Sequence, residues 1–553
     1  MSPPKQTFAA RIAQRIPVRT ETLLLVVSIA FVLSSNEVFW RALLAGRDLA
    51  SVATWLVASA MFVAISSAHF IVLALVCNRW TAKPVLAILL VANAFAVYFV
   101  SQYTVYLDPS MLRNVLRTDV AEAADLLGFG ILPHLLLYAG LPLLLLSRID
   151  IVERALVPSV LRRLGWVLLA VILVVVAILS QFQDIAATMR NQKAMRYLIT
   201  PANFVYSGLR VLTTEVDIAA RPLVLIGEDA KQIVASGPTR RPRLVVMVVG
   251  ETARAANWGL SDYGRQTTPE LAKLDVINFA ETSSCGTNTE VSLPCMFSNI
   301  GRRDYDETRI RTSESLLHVL KRAGVRSVWI DNQSGCKGVC ANLEYVQTGE
   351  SIAAADAAQL CPNAECFDEA MLKEAKLKLA SEKGDLLLVL HQMGNHGPAY
   401  FKRYPAAFER FTPACKRPEL GECSQQEIVN AYDNALLYTD HVLAQTIALL
   451  KTQSSHDAVM LYVSDHGESL GENNLYLHGV PYSIAPRTQT HVPMVLWWSP
   501  EFAATVDLKP GCVIERAKLP SSHDHLFHTL LNLFDVQTKV YEPNLDLLAG
   551  CVR

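Results

Sequence analysis

The sequence predicts two joined architectures: an N-terminal five-helix transmembrane α domain, and a C-terminal α/β domain with a central sheet flanked by helices. Of the 553 residues, 51% are hydrophobic, and long charge-free runs of them fall within residues 1–182. Ten of the eleven cysteines lie beyond residue 284. Beyond residue 243, short apolar runs alternate with helical patterns, as in a sheet covered by helices. We therefore predict a membrane domain at 1–182, a connector at 183–240 and the α/β domain at 241–553.

Five apolar stretches approach or exceed the roughly 20 residues that a bilayer crossing needs. The first is the weakest, because it includes Glu37, and it could be mistaken for a signal peptide. Basic residues near the amino end, at Arg79 and Lys83, and around Arg148 place those ends on the cytoplasmic side, whereas Arg41 and Arg47 depart mildly from this pattern. Everything after residue 182 is then outside. The expected spans are about 22–40, 50–78, 84–102, 126–147 and 164–182.

The cysteines support the same orientation. Cys77 lies alone in an apolar run, and the other ten are confined to the last domain. An even set in one domain is typical of disulfides in an oxidising compartment. A zinc-binding cysteine cluster is the alternative, but its spacings would be loose and the pairs are scattered. Proximity suggests the pairs Cys285–Cys295, Cys336–Cys340, Cys361–Cys366 and Cys415–Cys423, with Cys512–Cys551 as a possible fifth.

The connector mixes apolar and basic residues, as short helices along a membrane interface would, and it ends at Pro238-Thr-Arg-Arg-Pro242. The order of elements beyond it indicates a largely parallel sheet, with sites beyond the carboxyl ends of its strands. The predicted strands are 244–250, 327–331, 385–391, 458–464 and 492–499, and the predicted helices are 313–323, 369–381, 427–451 and 525–534.

Polar residues follow these strands. Glu251 follows the first and Asn332 the second, the His391–His396 segment follows the third, and Asp465 with His466 follows the fourth. Two carboxylates and an imidazole suit a divalent ion such as zinc, which binds tetrahedrally and can keep one position open. The alternative for Asp465 and His466 is a loop held by side-chain hydrogen bonds.

A hydroxyl-rich loop runs from Cys285 to Cys295 and contains Thr287, Thr289 and Ser292. Hydroxyls at the start of a helix can meet anions, and a metal-bound threonine becomes a nucleophile. The alternative is an N-cap. Sequence chemistry does not choose between Thr287 and Thr289.

Other polar residues are weaker candidates. His391, His396 and His478 lie in loops, where a single histidine is more often structural. Lys337, between Cys336 and Cys340, could meet a phosphate. On the outer side between spans three and four, Asn114, Thr118 and Glu122 recur every four residues and would share a helix face. That face could receive a cationic lipid head group, or it could simply be solvated.

Four segments together resemble the lipid A phosphoethanolamine transferases, which include the mobile colistin-resistance enzymes of Gram-negative bacteria and have a sulfatase-like (alkaline phosphatase superfamily) periplasmic domain. The resemblance covers nearly the whole chain. It is carried by Gly250-Glu251-Thr252-Ala253-Arg254, by Cys-Gly-Thr-Asn-Thr-Glu-Val-Ser-Leu-Pro-Cys-Met-Phe-Ser at 285–298, by Asn395-His396-Gly397-Pro398, and by Ser464-Asp465-His466-Gly467-Glu468-Ser469.

The resemblance implies a role for each matching position. Thr289 would be the nucleophile, and Lys337 would support the phosphate. Asn288 and Glu290 differ from the small residues found beside the nucleophile in several relatives, and Glu290 adds a charge near the metal. The catalytic zinc would be held by Glu251, Thr289, Asp465 and His466; the phosphoryl group or a second zinc would meet His396 and His478; and the phosphoethanolamine substrate would meet Asn114, Thr118 and Glu122.

The implied reaction moves phosphoethanolamine from phosphatidylethanolamine to lipid A through a covalent threonine adduct and confers polymyxin resistance. The implied location is the Gram-negative inner membrane, and we expect a monomer. The net charge of −1 gives no reason to expect nucleic acid as a partner. Alternatives are transfer to core sugars, phosphoglycerol transfer, and a non-catalytic membrane sensor, against which the complete residue set argues. A sulfatase is disfavoured, since no Cys/Ser-x-Pro-x-Arg motif surrounds the loop.

Overall fold

The structure is a computed structural model that describes residues 15–118, 126, 128–152, 156–219, 221–233, 241–362, 365–380 and 382–552. Two compact units emerge from its contacts. One comprises Met1–Leu112 with Leu127–Arg210, and the other comprises Arg113–Leu126 with Val211–Arg553. The three-part division at residues 182 and 240 stays a prediction.

The first unit is helical. Within the described residues, four of its helices are long and apolar enough to cross a membrane, and a fifth crossing is counted if a bent pair is one span. Among the described residues, the fourth of these spans is Ile131–Arg148 and the fifth lies in the helix Leu156–Ser180. The bounds are Thr20–Ser34 with Glu37–Leu44 as the bent pair, Val52–Val76, Ala82–Tyr103, Ile131–Arg148 and Leu156–Ser180.

The bend in the first pair has a local cause. The two helices meet at 59°, and Asn36 lies between them. Its Nδ2 donates to the carbonyl oxygens of Phe31 and Thr200, each at 2.8 Å. A side chain that takes over a helix-terminal carbonyl ends that helix and fixes the direction of the next. Shorter elements outside the spans are the helices Pro109–Arg117, Phe182–Asn191, Lys193–Leu198 and Ala202–Ala219, and the paired strands Ile16–Val18 and Ile149–Ile151.

The second unit is built on an eight-stranded sheet. In chain order the strands are β1 Arg243–Gly250, β2 Ile277–Ser283, β3 Arg326–Asp331, β4 Glu344–Gln347, β5 Leu386–His391, β6 Asp457–Ser464, β7 His491–Trp498 and β8 Ser521–Ser522. In spatial order they are β8-β2-β7-β6-β1-β5-β3-β4. Strand β7 runs antiparallel to both neighbours and the other pairs are parallel, so the sheet is mixed. The sequence did not predict β2, β4 or β8.

The central strands β1, β5 and β6 are buried along their whole length. Burial on both faces means that helices cover both sides of the sheet. Burying one Val or Leu side chain stabilises the folded state by about 1.5–3 kcal/mol. The burial of these strands therefore stabilises the sheet from whose edge the site residues project. The principal helices of this unit are Thr289–Met296, Glu307–Arg311, Leu316–Arg322, Ala354–Leu360, Ala370–Leu379, Gln425–Lys451, Pro500–Thr505, Pro510–Ala517 and Asp524–Leu533.

Ten cysteines form five disulfides in this unit, all between the partners that the sequence suggests, and Cys77 is a buried free thiol. The bridge from Cys285 to Cys295 encloses the hydroxyl-rich loop, and that from Cys336 to Cys340 encloses the loop of Lys337. The pairs are Cys285–Cys295, Cys336–Cys340, Cys361–Cys366, Cys415–Cys423 and Cys512–Cys551.

Candidate active site

Glu251 and Asp465 lie side by side because each follows a strand, and the two strands are neighbours. β1 and β6 run parallel, with Gly250 opposite Ser464, so both carboxylates leave the sheet at the same edge. Gly250 leaves no room for a side chain, since a Cβ there would lie 2.6 Å from the Tyr462 ring. The close packing of two strand ends thus fixes both acidic residues.

Glu251, Asp465 and His466 form a fully buried cluster whose ligand atoms all lie within 4.8 Å of one another. His466 Nε2 is 3.3 Å from Glu251 Oε1 and 3.4 Å from Asp465 Oδ2. Among the residues that the structure describes, Asp465 Oδ2 and His466 Nε2 have no hydrogen-bond partner. Buried polar atoms without partners are costly, and a divalent cation would satisfy these. The oxygen and nitrogen donors therefore fit a metal ion.

The charges of the three groups are strongly coupled. Burial and the Glu251 carboxylate raise the pKa of Asp465 to about 7. Burial opposes protonation of His466, but Asp465 and Glu251 raise its pKa to about 10. Burial also opposes ionisation of Glu251, yet His466 holds the pKa of Glu251 well below its usual range. Two carboxylates thus face each other in a dry site, where a bound cation would relieve their repulsion.

Thr289 is the hydroxyl that meets this cluster. Its Oγ1 donates to Glu251 Oε2 at 3.1 Å, and it is the first residue of the helix Thr289–Met296. Asn288 caps that helix, its side chain accepting from the Val291 N–H at 3.1 Å. Thr287 instead donates to the Val480 carbonyl at 2.7 Å. Because the Asn288 side chain caps the helix, the Thr289 hydroxyl is free to bond to Glu251 in the buried cluster.

Gln333 is a site residue that the sequence reasoning missed. Its Nε2 donates to Glu251 Oε2, the same oxygen that Thr289 contacts. Thr252 donates to the other oxygen, Oε1, at 3.0 Å. Gly394 lies against the backbone here: its φ is +52°, and a Cβ would lie 2.7 Å from the Glu251 carbonyl oxygen. The position of Gln333, two residues beyond β3, was the available signal.

Two of the candidate histidines lie beside His466. The ring of His478 is 4.4 Å from that of His466 and 5.8 Å from that of His396, centroid to centroid. His478 Nδ1 is 2.9 Å from Glu468 Oε2, and Tyr400 donates to Glu468 Oε1 at 2.7 Å. Glu468 therefore orients His478, a role that the motif did not reveal.

His391 and Asn332 have partners outside the cluster. His391 Nδ1 lies 2.7 Å from Asp331 Oδ1, which also accepts from Trp329 Nε1 at 2.9 Å. Burial opposes protonation of His391, but Asp331 raises its pKa. Asn332 donates to Asp368 Oδ1 at 2.8 Å. Both side chains hold neighbouring elements together.

Lys337 and Glu290 lie close together. Lys337 Nζ is 3.5 Å from Glu290 Oε1 and donates to Ser334 Oγ at 2.8 Å. The Glu290 side chain is only 1% exposed, and its Oε2 accepts from Arg117 Nη1 at 3.1 Å. The charge that the sequence left unexplained is thus matched by two cations.

The outer segment is described only in part. Asn114 lies in the helix Pro109–Arg117, and Thr118 follows it, donating through Oγ1 to the Asn114 carbonyl at 2.8 Å. Glu122 lies outside the described residues. Its predicted place on a shared face with the other two stays a prediction, as do the substrate roles of all three.

The fold and the site define the class of this protein. A family model described as Sulfatase matches residues 243–536, which contain the sheet, the cluster and Thr289. A model described as Phosphoethanolamine transferase EptA/EptB matches residues 65–216. The chain is therefore a membrane-embedded enzyme with a sulfatase-like catalytic domain.

Relatives narrow the class to a family. The chain is 37% identical over 537 residues to phosphoethanolamine transferase EptA of Salmonella typhimurium, covering 96% of each chain. It is 41% identical over 465 residues to phosphatidylethanolamine transferase Mcr-1 of Escherichia coli, covering 83% of this chain and 84% of Mcr-1. The chain belongs to the phosphoethanolamine transferases, as its motifs suggest.

A solved structure extends the match to the whole fold. The integral membrane protein lipooligosaccharide phosphoethanolamine transferase A (EptA) from Neisseria meningitidis superposes with a TM-score of 0.91 at 35% identity, covering 97% of this chain and 99% of that one. The predicted fold class is confirmed. The protein is an integral inner-membrane enzyme with its catalytic domain in the periplasm.

Proposed function

We propose that this enzyme transfers phosphoethanolamine from phosphatidylethanolamine to a phosphate of lipid A, through a covalent adduct on Thr289. The observation that carries the proposal is the hydrogen bond from Thr289 Oγ1 to Glu251 within a buried cluster of carboxylates and imidazole. Phosphoethanolamine is the group named for EptA, and phosphatidylethanolamine, the donor that we propose, is the lipid named for Mcr-1.

The reaction has two halves. In the first, Thr289 Oγ1 attacks the phosphorus of phosphatidylethanolamine, and its proton passes along the hydrogen bond to Glu251 Oε2. The bond from phosphorus to the diacylglycerol oxygen breaks, that oxygen takes a proton from water, and diacylglycerol leaves as an alcohol. In the second, a lipid A phosphate oxygen attacks the same phosphorus. The bond to Oγ1 breaks, and Thr289 regains its proton from Glu251.

The surrounding residues hold the reacting groups. Glu251, Thr289, Asp465 and His466 would hold a zinc ion, which when bound would supply Lewis-acid stabilisation of the negative charge that develops on the phosphoryl oxygens. Gln333 keeps Glu251 Oε2 aimed at Thr289. The second set, Lys337, His396 and His478, would contact the transferred phosphoryl group, with a second zinc at the two histidines as an alternative.

The physiological consequence follows from charge. Each transfer adds an ethanolamine cation to lipid A, which lowers its net negative charge. Cationic polymyxins then bind less strongly, so expression of this chain should raise resistance to colistin.

Asn114, Thr118 and Glu122 are the residues that we assign to the head group of the donor.

Intact-mass analysis tests the nucleophile. Wild-type protein incubated with phosphatidylethanolamine should gain one phosphoethanolamine, whereas Thr289→Ala should gain none. Thr287→Ala is the matched control: it removes a hydroxyl two residues away that is bonded to the Val480 carbonyl, and it should still form the adduct. An adduct on Thr289→Ala would refute the assignment.

Mass spectrometry of lipopolysaccharide from expressing cells tests the acceptor. Lipid A should gain phosphoethanolamine in cells with the wild-type chain and not in cells with Thr289→Ala. Modified core sugars beside unmodified lipid A would favour the related core-modifying activity, and a glycerol-bearing adduct would favour phosphoglycerol transfer.

A further inference from the structure

A charged network adjoins the helix of the nucleophile. Three arginines and three glutamates alternate in it, counted over the described residues only. Glu215 accepts from Arg113 at 2.9 Å, from Arg117 at 2.8 Å and from Arg311 at 2.8 Å. Arg113 also pairs with Glu307, and Arg117 pairs with Glu290 at 3.1 Å. All of these residues, like Asn114, belong to the second unit.

Glu290 is the member of this network that reaches the site. One carboxylate oxygen, Oε2, holds Arg117, and the other, Oε1, lies 3.5 Å from Lys337 Nζ. Within the described part of the chain, Oε1 accepts no hydrogen bond, although it is buried. A buried carboxylate is stabilised by nearby cations. Glu290 and its two cations, Arg117 and Lys337, therefore stabilise one another.

The helix geometry separates Glu290 from the chemistry. Successive residues of an α-helix point about 100° apart, so the carboxylate of Glu290 extends away from the neighbouring Thr289 hydroxyl. Thr289 contacts Glu251, whereas Glu290 contacts Arg117 and Lys337. Glu290 can therefore position other groups around the nucleophile without touching the reacting atoms.

We propose that Glu290 is a positioning residue for donor binding. Its carboxylate holds the side chains of Arg117 and Lys337 in a fixed position relative to Thr289. Arg117 immediately precedes Thr118, and Lys337 is the cation expected to meet the donor phosphate. The inference rests on the proposed function, because it concerns the donor of that reaction. An uncharged small residue beside the nucleophile would not make the ion pairs that Glu290 makes with Arg117 and Lys337.

The test is the donor dependence of adduct formation. For Glu290→Gln, which keeps the shape and removes the charge, we expect the half-saturating concentration of phosphatidylethanolamine in mixed micelles to rise about tenfold, since a charge-assisted contact is lost. The rate at saturation should stay within about twofold, because the groups at Thr289 are unchanged. Intact mass at timed intervals gives both quantities.

A double-mutant cycle and a control separate positioning from general damage. Arg117→Gln should raise the half-saturating donor concentration as Glu290→Gln does. The double variant should raise it no further than the more impaired of the two single variants. Glu314→Gln is the control, since Glu314 lines the same cavity of about 550 Å³ as Arg117 and Lys337 but pairs with Arg322 at 2.6 Å. It should leave donor dependence unchanged.

Three kinetic outcomes would overturn the inference: wild-type donor dependence in Glu290→Gln, additive effects in the cycle, or an equal rise of the half-saturating donor concentration in Glu314→Gln. Amide hydrogen exchange provides a readout that needs no turnover. Peptides covering 113–118 and 334–340 should exchange faster in Glu290→Gln than in the wild type, and unchanged exchange would refute the positioning role. A wild-type protein that forms no adduct would instead refute the proposed function.

Discussion

Thr289 and Glu290 are neighbours in the chain but belong to two different charged clusters. The cluster at Thr289 gathers two carboxylates and an imidazole, with buried ligand atoms that have no hydrogen-bond partner among the described residues. The cluster at Glu290 gathers arginines and a lysine against glutamates, and each of these charges is within 4 Å of an opposite one.

The two clusters differ in how their charges are arranged: two carboxylates face each other in the first, whereas opposite charges pair in the second. Burial and then the Glu251 carboxylate raise the pKa of Asp465 to about 7. Burial opposes ionisation of Glu215, but Arg311, Arg117 and Arg113 lower its pKa. A bound cation would therefore stabilise the first cluster more than the second. Four substitutions test the contrast, from the largest expected effect to the smallest.

Asp465→Ala should abolish adduct formation and metal binding together. A ligand that binds only the folded state adds about 2.7 kcal/mol when its concentration is 100 times Kd. Chelation should thus lower the Tm of wild type, followed by tryptophan fluorescence, and leave the Tm of Asp465→Ala unchanged. Metal content by elemental mass spectrometry provides the second readout, and retained metal in the variant would contradict the cluster assignment.

Gln333→Leu should weaken the same cluster without removing a ligand. Loss of a partner that orients a metal ligand costs about 10–100-fold in metal affinity or activity. We expect the rate of adduct formation to fall within this range and the metal to dissociate more easily in competition with a chelator. Wild-type behaviour of the variant would show that Glu251 needs no support from Gln333.

Glu215→Gln should affect stability more than chemistry. Glu215 accepts from three arginines, and removing its charge should cost about 1–3 kcal/mol in the free energy of unfolding. Because the folded-state pKa of Glu215 is lowered, its contribution is present at neutral pH and is lost as pH falls through that value. Denaturant melts at pH 7 and pH 4 should show a smaller difference between variant and wild type at the lower pH.

Glu281→Gln should have the smallest effect of the four substitutions on the free energy of unfolding. Glu281 pairs with Arg487, but the two side chains are 49% and 66% exposed. Exposed pairs contribute about 0–1 kcal/mol, because water and salt screen them. The free energy of unfolding should change by less than about 0.5 kcal/mol, and a larger loss would show that exposure alone does not separate the two kinds of ion pair.

Much of the site was accessible from the sequence because its residues directly follow strands. Glu251 and Asp465 could be placed from the apolar runs before them, and parallel strands bring such positions together. The partners of those residues could not be placed in this way. Gln333 lies two residues beyond β3, which places it near the site, but its contact with Glu251, 82 residues away, follows from no local pattern. Arg117 lies 173 residues from Glu290, and no local pattern encodes that contact either.

The sequence by itself determined the apolar membrane helices, the α/β character of the second part and the family, since hydropathy, periodicity and motifs are local properties. It suggested the cysteine partners by their proximity, and the structure shows the five pairs. Tertiary structure decided the antiparallel course of β7, the direction of the Thr289 hydroxyl toward Glu251 while Thr287 bonds to Val480, and the pairing of Glu290 with Arg117 and Lys337. These depend on which distant groups meet in a dry interior, where each polar atom must find a partner.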